Sequence, residues 1–175
     1  MAILYIDDFK YQISDKNIYD IAKYNWIFIL NSVQNPTNVG SIIRIANWFN
    51  IKYILISNKN SVDIFNTKLI QTTMGSFFKT KIIKINIDNL MKDNLDIPVY
   101  GALVDSKYNI YKQKFFKRGF ILLGNESKGI DIHIQKYITN PITIPKIGNC
   151  NSLNIGNATS IICSIIFKDE LANRI

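Results

Sequence analysis

The chain is poor in the residues that most often announce a site. Two cysteines, Cys150 and Cys163, among 175 residues are too few for a disulfide framework or a metal cluster. A single histidine, His133, leaves no zinc ligand set and gives Cys150 no partner base, so Cys150 reads as a bystander thiol and His133 as a surface or boundary residue. No apolar run approaches the roughly 20 residues that span a bilayer. The opening Met1 to Asp8 lacks the basic region and apolar core of a secretion signal. A cytosolic protein with no membrane segment and no metal is expected. Neither Gly-x-Gly-x-x-Gly nor a Walker phosphate loop follows any strand-like run, so a Rossmann cofactor site and nucleotide hydrolysis lack support. Any nucleotide-like cofactor must be held differently.

Acidic residues are scarce too. Thirteen Asp and Glu face twenty-one Lys and Arg, a formal net charge of +8. Such an excess attracts polyanions and speeds encounter with them, which makes nucleic acid the leading partner class. The plainer reading is a solvated surface in a chain biased toward Ile, Asn and Lys, so single lysines carry little weight. Basic residues gather at Lys79, Lys81 and Lys84, and again at Lys107, Lys112, Lys114, Lys117 and Arg118. Tyr108, Tyr111, Phe115 and Phe116 interleave the second group. Aromatics among cations suit unpaired bases, although several could equally be core.

What is abundant is apolar patterning. Nearly half of the residues are hydrophobic, and the length suits one domain with one substantial core. Strand-like runs at Trp26 to Leu30, Tyr53 to Ile56, Lys81 to Ile85, Val99 to Val104, Phe120 to Leu123 and Ile142 to Ile144 alternate with segments that can be helical. That alternation predicts an α/β domain with a mainly parallel sheet covered by helices on both faces. Residues 1–25 lack a clear period and read as a short ordered extension to a domain over 26–175.

Three polar segments interrupt this pattern at strand ends. The first, Asn35-Pro36-Thr37-Asn38-Val39-Gly40-Ser41-Ile42-Ile43-Arg44, lies between a strand and a helix carrying Ile42, Ile45, Ala46 and Phe49 at helical spacing. Asn38 can cap that helix, and Gly40 can let another molecule approach the backbone. Arg44 sits about a turn further on among apolar residues; alone, it would more simply snorkel or pair with a carboxylate. The second, Leu123-Gly124-Asn125-Glu126-Ser127-Lys128-Gly129, follows a strand where open α/β sheets bind ligands. Glu126 could hold an arginine in a two-pronged pair, or the segment could be an ordinary turn. The third, Ile144-Pro145-Lys146-Ile147-Gly148-Asn149-Cys150-Asn151-Ser152-Leu153-Asn154, leads into a helix striped by Ile155, Ala158, Ile161, Ile162 and Ile165. Ser152 or Asn154 could cap it, and the loop could bind a cofactor largely through its main chain.

In this order the three segments resemble the motifs of the SpoU (TrmH-like) branch of the SPOUT RNA methyltransferases. The resemblance covers approximately residues 26–170, and Gln71 to Phe78 looks like that family's connecting segment. It implies a C-terminal deep trefoil knot, an exception to ordinary chain topology. It also implies S-adenosylmethionine bound by loops near Thr73, Met74 and Gly75, near Leu123, Gly124, Asn125 and Glu126, and from Ile144 to Leu153. The implied reaction is methyl transfer to a ribose 2′-hydroxyl of RNA. Arg44 would act at the ribose, Asn38 would position Arg44 or the RNA backbone, and Glu126 would orient Arg44 or its surroundings. Ser152 and Asn154 would shape the site. A homodimer using the first and last helices is implied as well. The wording around Val33 to Pro36 and Asn47 to Phe49 favours ribosomal over transfer RNA. Many relatives carry a further N-terminal RNA-binding domain, which residues 1–25 cannot replace. Asn50 stands where a glycine is common, a position that asparagine tolerates in the left-handed conformation. The competing reading is a non-catalytic RNA-binding or assembly protein that keeps the fold.

Overall fold

A computed structural model of the chain describes residues 14–92, 96–104 and 106–174. Six strands form one sheet: β1 (Trp26–Leu30), β2 (Tyr53–Ser57), β3 (Lys81–Ile85), β4 (Val99–Ala102), β5 (Gly119–Leu123) and β6 (Asn140–Ile142). Their spatial order is β3-β2-β1-β5-β4-β6, and every pairing is parallel. The helices are α1 (Asp15–Ala22), α2 (Pro36–Trp48), α3 (Thr67–Thr72), α4 (Ile87–Lys92), α5 (Ile132–Gln135), α6 (Ile155–Ile166) and α7 (Lys168–Ala172).

Alternate residues of the central strands supply two cores. Phe28 and Leu30 pack with Val39, Ile42 and Ile43 of α2, Leu69 of α3, and Ile162 and Cys163 of α6. Ile27 and Ile29 pack on the opposite face with Ile18 and Ala22 of α1, Leu90 and Met91 of α4, and Ile134 of α5. Strands buried on both faces need apolar residues at every position, which is why β1 and β5 read as unbroken runs. The predicted class, a mainly parallel sheet with helices on both faces, is the one observed.

Some boundaries differ. The last strand lies at Asn140–Ile142, earlier than the predicted Ile142 to Ile144. β6 is an edge strand and accepts Pro141, whose missing N–H would break a ladder on both sides only in the sheet interior. The predicted run to Val104 stops at Ala102, where the chain leaves the sheet. In the N-terminal extension, α1 contributes Ile18 and Ala22 to a core, while residues 1–13 lie outside the described residues. The buried stripe of α6 is Ile155, Thr159, Ile162 and Cys163; Ile161 and Ile165 are only half-buried on its flank. Asn50 does adopt φ 58°, and the Ile51 N–H returns to the Ala46 carbonyl at 2.8 Å, closing α2 with the expected left-handed turn.

Past β4 the chain wraps the end of β6. The Leu103 N–H donates to Ile142 O at 2.9 Å, the Thr143 N–H to Tyr108 O at 2.8 Å, and the Ile110 N–H to Thr143 O at 2.9 Å. The Thr143 hydroxyl adds a bond to Leu103 O at 2.9 Å and meets Ser106 Oγ at 2.6 Å. Leu103, Ser106, Tyr108 and Ile110 are thereby all tied to Thr143. Among the described residues no helix is long and apolar enough to cross a membrane.

Candidate active site

The carboxyl ends of β1, β5, β4 and β6 meet at one side of the sheet, where their following loops converge. Asn35, not Asn38, caps α2: its Oδ1 accepts from the Thr37 N–H at 2.9 Å and the Asn38 N–H at 3.4 Å. Proline is pre-shaped for the first helical position, so Pro36 already marks the residue before it as the cap. Asn38 lies inside the first turn instead, and its buried side chain is free for another task.

That task is to join the other two segments. Asn38 Nδ2 donates to Glu126 Oε1 at 2.8 Å, and Asn38 Oδ1 accepts from Asn154 Nδ2 at 2.9 Å. Asn154 Oδ1 in turn caps α6, accepting from the Gly156 N–H at 2.8 Å and the Asn157 N–H at 3.4 Å. One relay therefore runs from the Glu126 carboxylate through two amides to the start of α6. Each amide uses both ends, so its orientation is fixed.

The Gly124 to Gly129 loop is built to be tight. Asn125 and Gly129 exchange backbone bonds of 2.8 and 2.9 Å, with Gly129 at φ 71°. A Cβ on Gly124 would strike the Gly129 and Ile130 backbone. Asn125 Nδ2 donates to Ser32 O at 2.9 Å, while its Oδ1 accepts from the Ser127 and Lys128 N–H groups. Sequence reasoning passed over Asn31, Ser32 and Asp131, which anchor this loop. Asp131 Oδ2 accepts from Asn31 Nδ2 and Ser32 Oγ, each at 3.0 Å, and the Asp131 N–H donates to Asn31 Oδ1 at 2.7 Å. Two adjacent polar residues at the end of an apolar strand were the available signal.

Beside the relay lies a cavity of about 360 Å³, within the range of small-molecule sites. Its walls are residues 102–104, 123–126, 144–148 and 150–153, with Ile110, Ile142, Ile155 and Ile162 below. Leu123, Gly124, Asn125, Glu126, Ile144, Ser152 and Leu153 all line it, as does Cys150, whose Sγ donates to Ser152 O at 3.2 Å. Among the described residues Glu126 is the one carboxylate in the lining.

Thr73, Met74 and Gly75 do not line it. They close α3, where the buried Thr73 hydroxyl returns to Ile70 O at 2.7 Å and Met74 and Gly75 take positive φ. The third wall is instead Ala102 to Val104, an apolar strand end without a polar motif to mark it. Gly40 also differs from expectation. A Cβ there would lie 2.7 Å from Thr72 Cβ and 2.9 Å from Leu69 O, so Gly40 lets α3, not a ligand, come close.

Arg44 is exposed and has no hydrogen-bond or ion-pair partner among the described residues. The expected pair with Glu126 is absent among these residues; Glu126 Oε1 accepts from Asn38 Nδ2 instead. One turn before Arg44, Ser41 sits against Gly156 of α6, 3.3 Å from where a Cβ would be. Arg44 thus flanks the seam between α2 and α6. His133 is exposed, with Nε2 3.4 Å from Asp88 Oδ2, and it is not among the residues that line the cavity.

The model of the SpoU rRNA Methylase family matches residues 25–164. A 23S rRNA (guanosine(2553)-2′-O)-methyltransferase of Bacillus subtilis is 24% identical over 146 residues, 81% of this chain and 58% of that protein. An uncharacterized tRNA/rRNA methyltransferase of Borreliella burgdorferi is 29% identical over 140 residues, 78% of this chain and 61% of that one. The crystal structure of an AdoMet-bound rRNA methyltransferase from Sinorhizobium meliloti shares the fold with a TM-score of 0.77 at 24% identity, covering 83% of this chain and 56% of that one. The chain spans about three fifths of the length of the curated relatives it matches.

Proposed function

We propose that this chain, which belongs to the SpoU rRNA Methylase family, transfers a methyl group from S-adenosylmethionine to a ribose 2′-hydroxyl of RNA, with ribosomal RNA favoured over transfer RNA. The observation that carries the reading is the relay: Asn38 ties Glu126 to Asn154 at the rim of a cavity of ligand size. Folding alone would not need a carboxylate and two fully committed amides at that point.

The cavity fits the cofactor. Its apolar walls suit a base and a methylene chain, the absence of a Cβ at Gly124 lets the 124–129 loop close tightly into one wall, and the lining carboxylate complements a cationic ligand. When bound, S-adenosylmethionine supplies an electrophilic methyl group. Residues 102–104, 123–126 and 144–153 would hold it, and the protein's remaining work is alignment of the acceptor.

Arg44 is the residue placed to act on the acceptor side. A guanidinium keeps its proton in proteins, so its part is to orient the ribose or an adjacent phosphate and to offset charge as the hydroxyl loses its proton. Asn38 and Glu126 would position the start of α2, which carries Arg44, and Ser152 and Asn154 would shape the loop that leads into α6. A homodimer is part of the proposal; α1 and α7 are the first and last helices of the chain, but the proposed contact is the outer face of the longer α2 and α6, where Trp48 is 81% exposed and Ile161 and Ile165 are half-buried. The deep trefoil knot also belongs to it; the bonds that tie Leu103, Ser106, Tyr108 and Ile110 to Thr143 support a crossing there. A cytoplasmic location belongs to the same proposal.

The test is transfer of labelled methyl from S-adenosylmethionine to RNA lacking the modification, with wild type and Arg44→Ala side by side, followed by nucleoside analysis. Label in a 2′-O-methyl nucleoside, reduced by about 100-fold or more in the variant with cofactor binding retained, is expected. Full activity of the variant would remove Arg44 from the site. Absence of thermal stabilisation by S-adenosylmethionine in the wild type would favour a non-catalytic scaffold.

A further inference from the structure

Between β4 and β5 the chain makes a strap whose surface the relay and cavity do not use. From residue 106 to residue 118 it carries five cations, Lys107, Lys112, Lys114, Lys117 and Arg118, and no carboxylate. Its aromatics divide into two sets. Phe115 turns inward, its ring 5.0 Å from the buried Tyr100 ring. Tyr108, Tyr111 and Phe116 turn outward, at 45%, 63% and 62% exposure.

Those outward rings are not the by-product of a loose loop. The strap is pinned to Thr143 at one end, as described above. Ile110 is buried in its middle, and the Phe116 N–H donates to Tyr100 Oη at 3.0 Å near the other end. Asn109 further fixes the short turn, its Oδ1 accepting from the Tyr111 N–H at 2.9 Å. A rigid backbone that holds three rings in water forgoes their burial, and nothing in the strap's own packing recovers it. Lys107 Nζ stands 5.6 Å from the Tyr108 ring centroid, so a cation and a flat apolar face occur side by side.

We infer that this strap is a binding platform for an unpaired RNA strand, with Tyr108, Tyr111 and Phe116 stacking on bases and the flanking lysines meeting phosphates. The inference rests on the RNA methyltransferase reading for the identity of the polyanion. Two features choose an unpaired strand over duplex and over acidic protein. Duplex hides base faces, so rings would contribute little to it. An acidic segment would need the cations without the rings. The strap also reaches the cavity, since its buried Ile110 is part of the lining. A strand lying on the strap therefore runs beside the wall of the methyl-donor site.

The experiment measures the affinity of the full chain for a fluorescein-labelled oligouridine and for an RNA duplex of equal length, over a series of salt concentrations. Wild type should prefer the single strand. Tyr111→Leu and Phe116→Leu keep apolar bulk at exposed positions, so folding is preserved, and each should weaken single-strand binding by roughly fivefold or more. Tyr111→Phe should restore it. Lys112→Gln and Lys114→Gln should leave the preference for single strands intact while each lowers the salt slope by about 0.7. S-adenosylmethionine affinity, read by calorimetry, should not change in any of them. Equal binding of duplex and single strand, unchanged affinity in both ring variants, or equal competition by polyglutamate would overturn the inference. The outcomes stay separable from those of the enzymatic proposal. Ring-dependent strand binding without methyl transfer would keep the platform and reject the reaction, and transfer insensitive to the rings would do the reverse.

Discussion

Cys150 and Cys163 meet opposite surroundings, and the contrast offers a probe of the cavity. Cys163 sits on the buried face of α6, where burial pushes its thiol far above the ordinary range, leaving little thiolate to react. Cys150 is exposed and lines the cavity. Iodoacetamide should alkylate Cys150 in the native protein and Cys163 only after denaturation, as peptide mass analysis will show. Saturating S-adenosylmethionine should slow the first reaction; an unchanged rate would place the cofactor elsewhere. At this scale the sequence was partly legible. Glu126 and Asn154 were recognisable as polar residues at strand and helix ends. The exchange of roles between Asn35 and Asn38 was not, because either amide could cap until Pro36 is given its preferred position.

Elements bring residues together that the sequence keeps far apart, and Thr143 is the plainest case. Its hydroxyl meets Leu103 O and Ser106 Oγ, and its backbone meets Tyr108 and Ile110, so one residue after β6 fixes a wall that begins after β4. Thr143→Val keeps the shape and removes the donor, leaving Leu103 O without that partner. A loss of about 1–2 kcal/mol in denaturant unfolding is expected, with weaker cofactor binding by calorimetry; Thr143→Ser should restore both. Unaltered binding in the valine variant would show that the wall holds itself. The same logic explains which elements were readable beforehand. β1, β3 and β5 announce themselves because their apolar residues satisfy local and tertiary demands at once. β6 does not, since Asn140 and Pro141 join the sheet only through the exposed edge of β4. Ala102 to Val104 likewise became a cavity wall through the placement of other segments, whereas the polar turn at Thr73 to Gly75 drew the eye but serves to end α3.

At the scale of the whole molecule, the outer face of α2 and α6 should decide the oligomeric state. Trp48→Asp puts a charge on the proposed contact and should convert a dimer to monomers in sedimentation velocity, with far-ultraviolet dichroism unchanged because the residue is exposed. A wild type that sediments as a monomer would reject the dimer. The order of the strands along the chain has a consequence for biosynthesis. β1, β2 and β3 are consecutive in sequence and adjacent in space, so half of the sheet can pair soon after it leaves the ribosome. β4, in contrast, must wait for β6, and until residues 140–142 emerge its outer edge is an open template for wrong partners. The cavity is completed later still, by residues 144–162. Cofactor capture therefore waits on the emergence of residues 144–162, after β6 has already covered the outer edge of β4, so the chain's most exposed pairing edge is protected before its ligand can help to hold the fold.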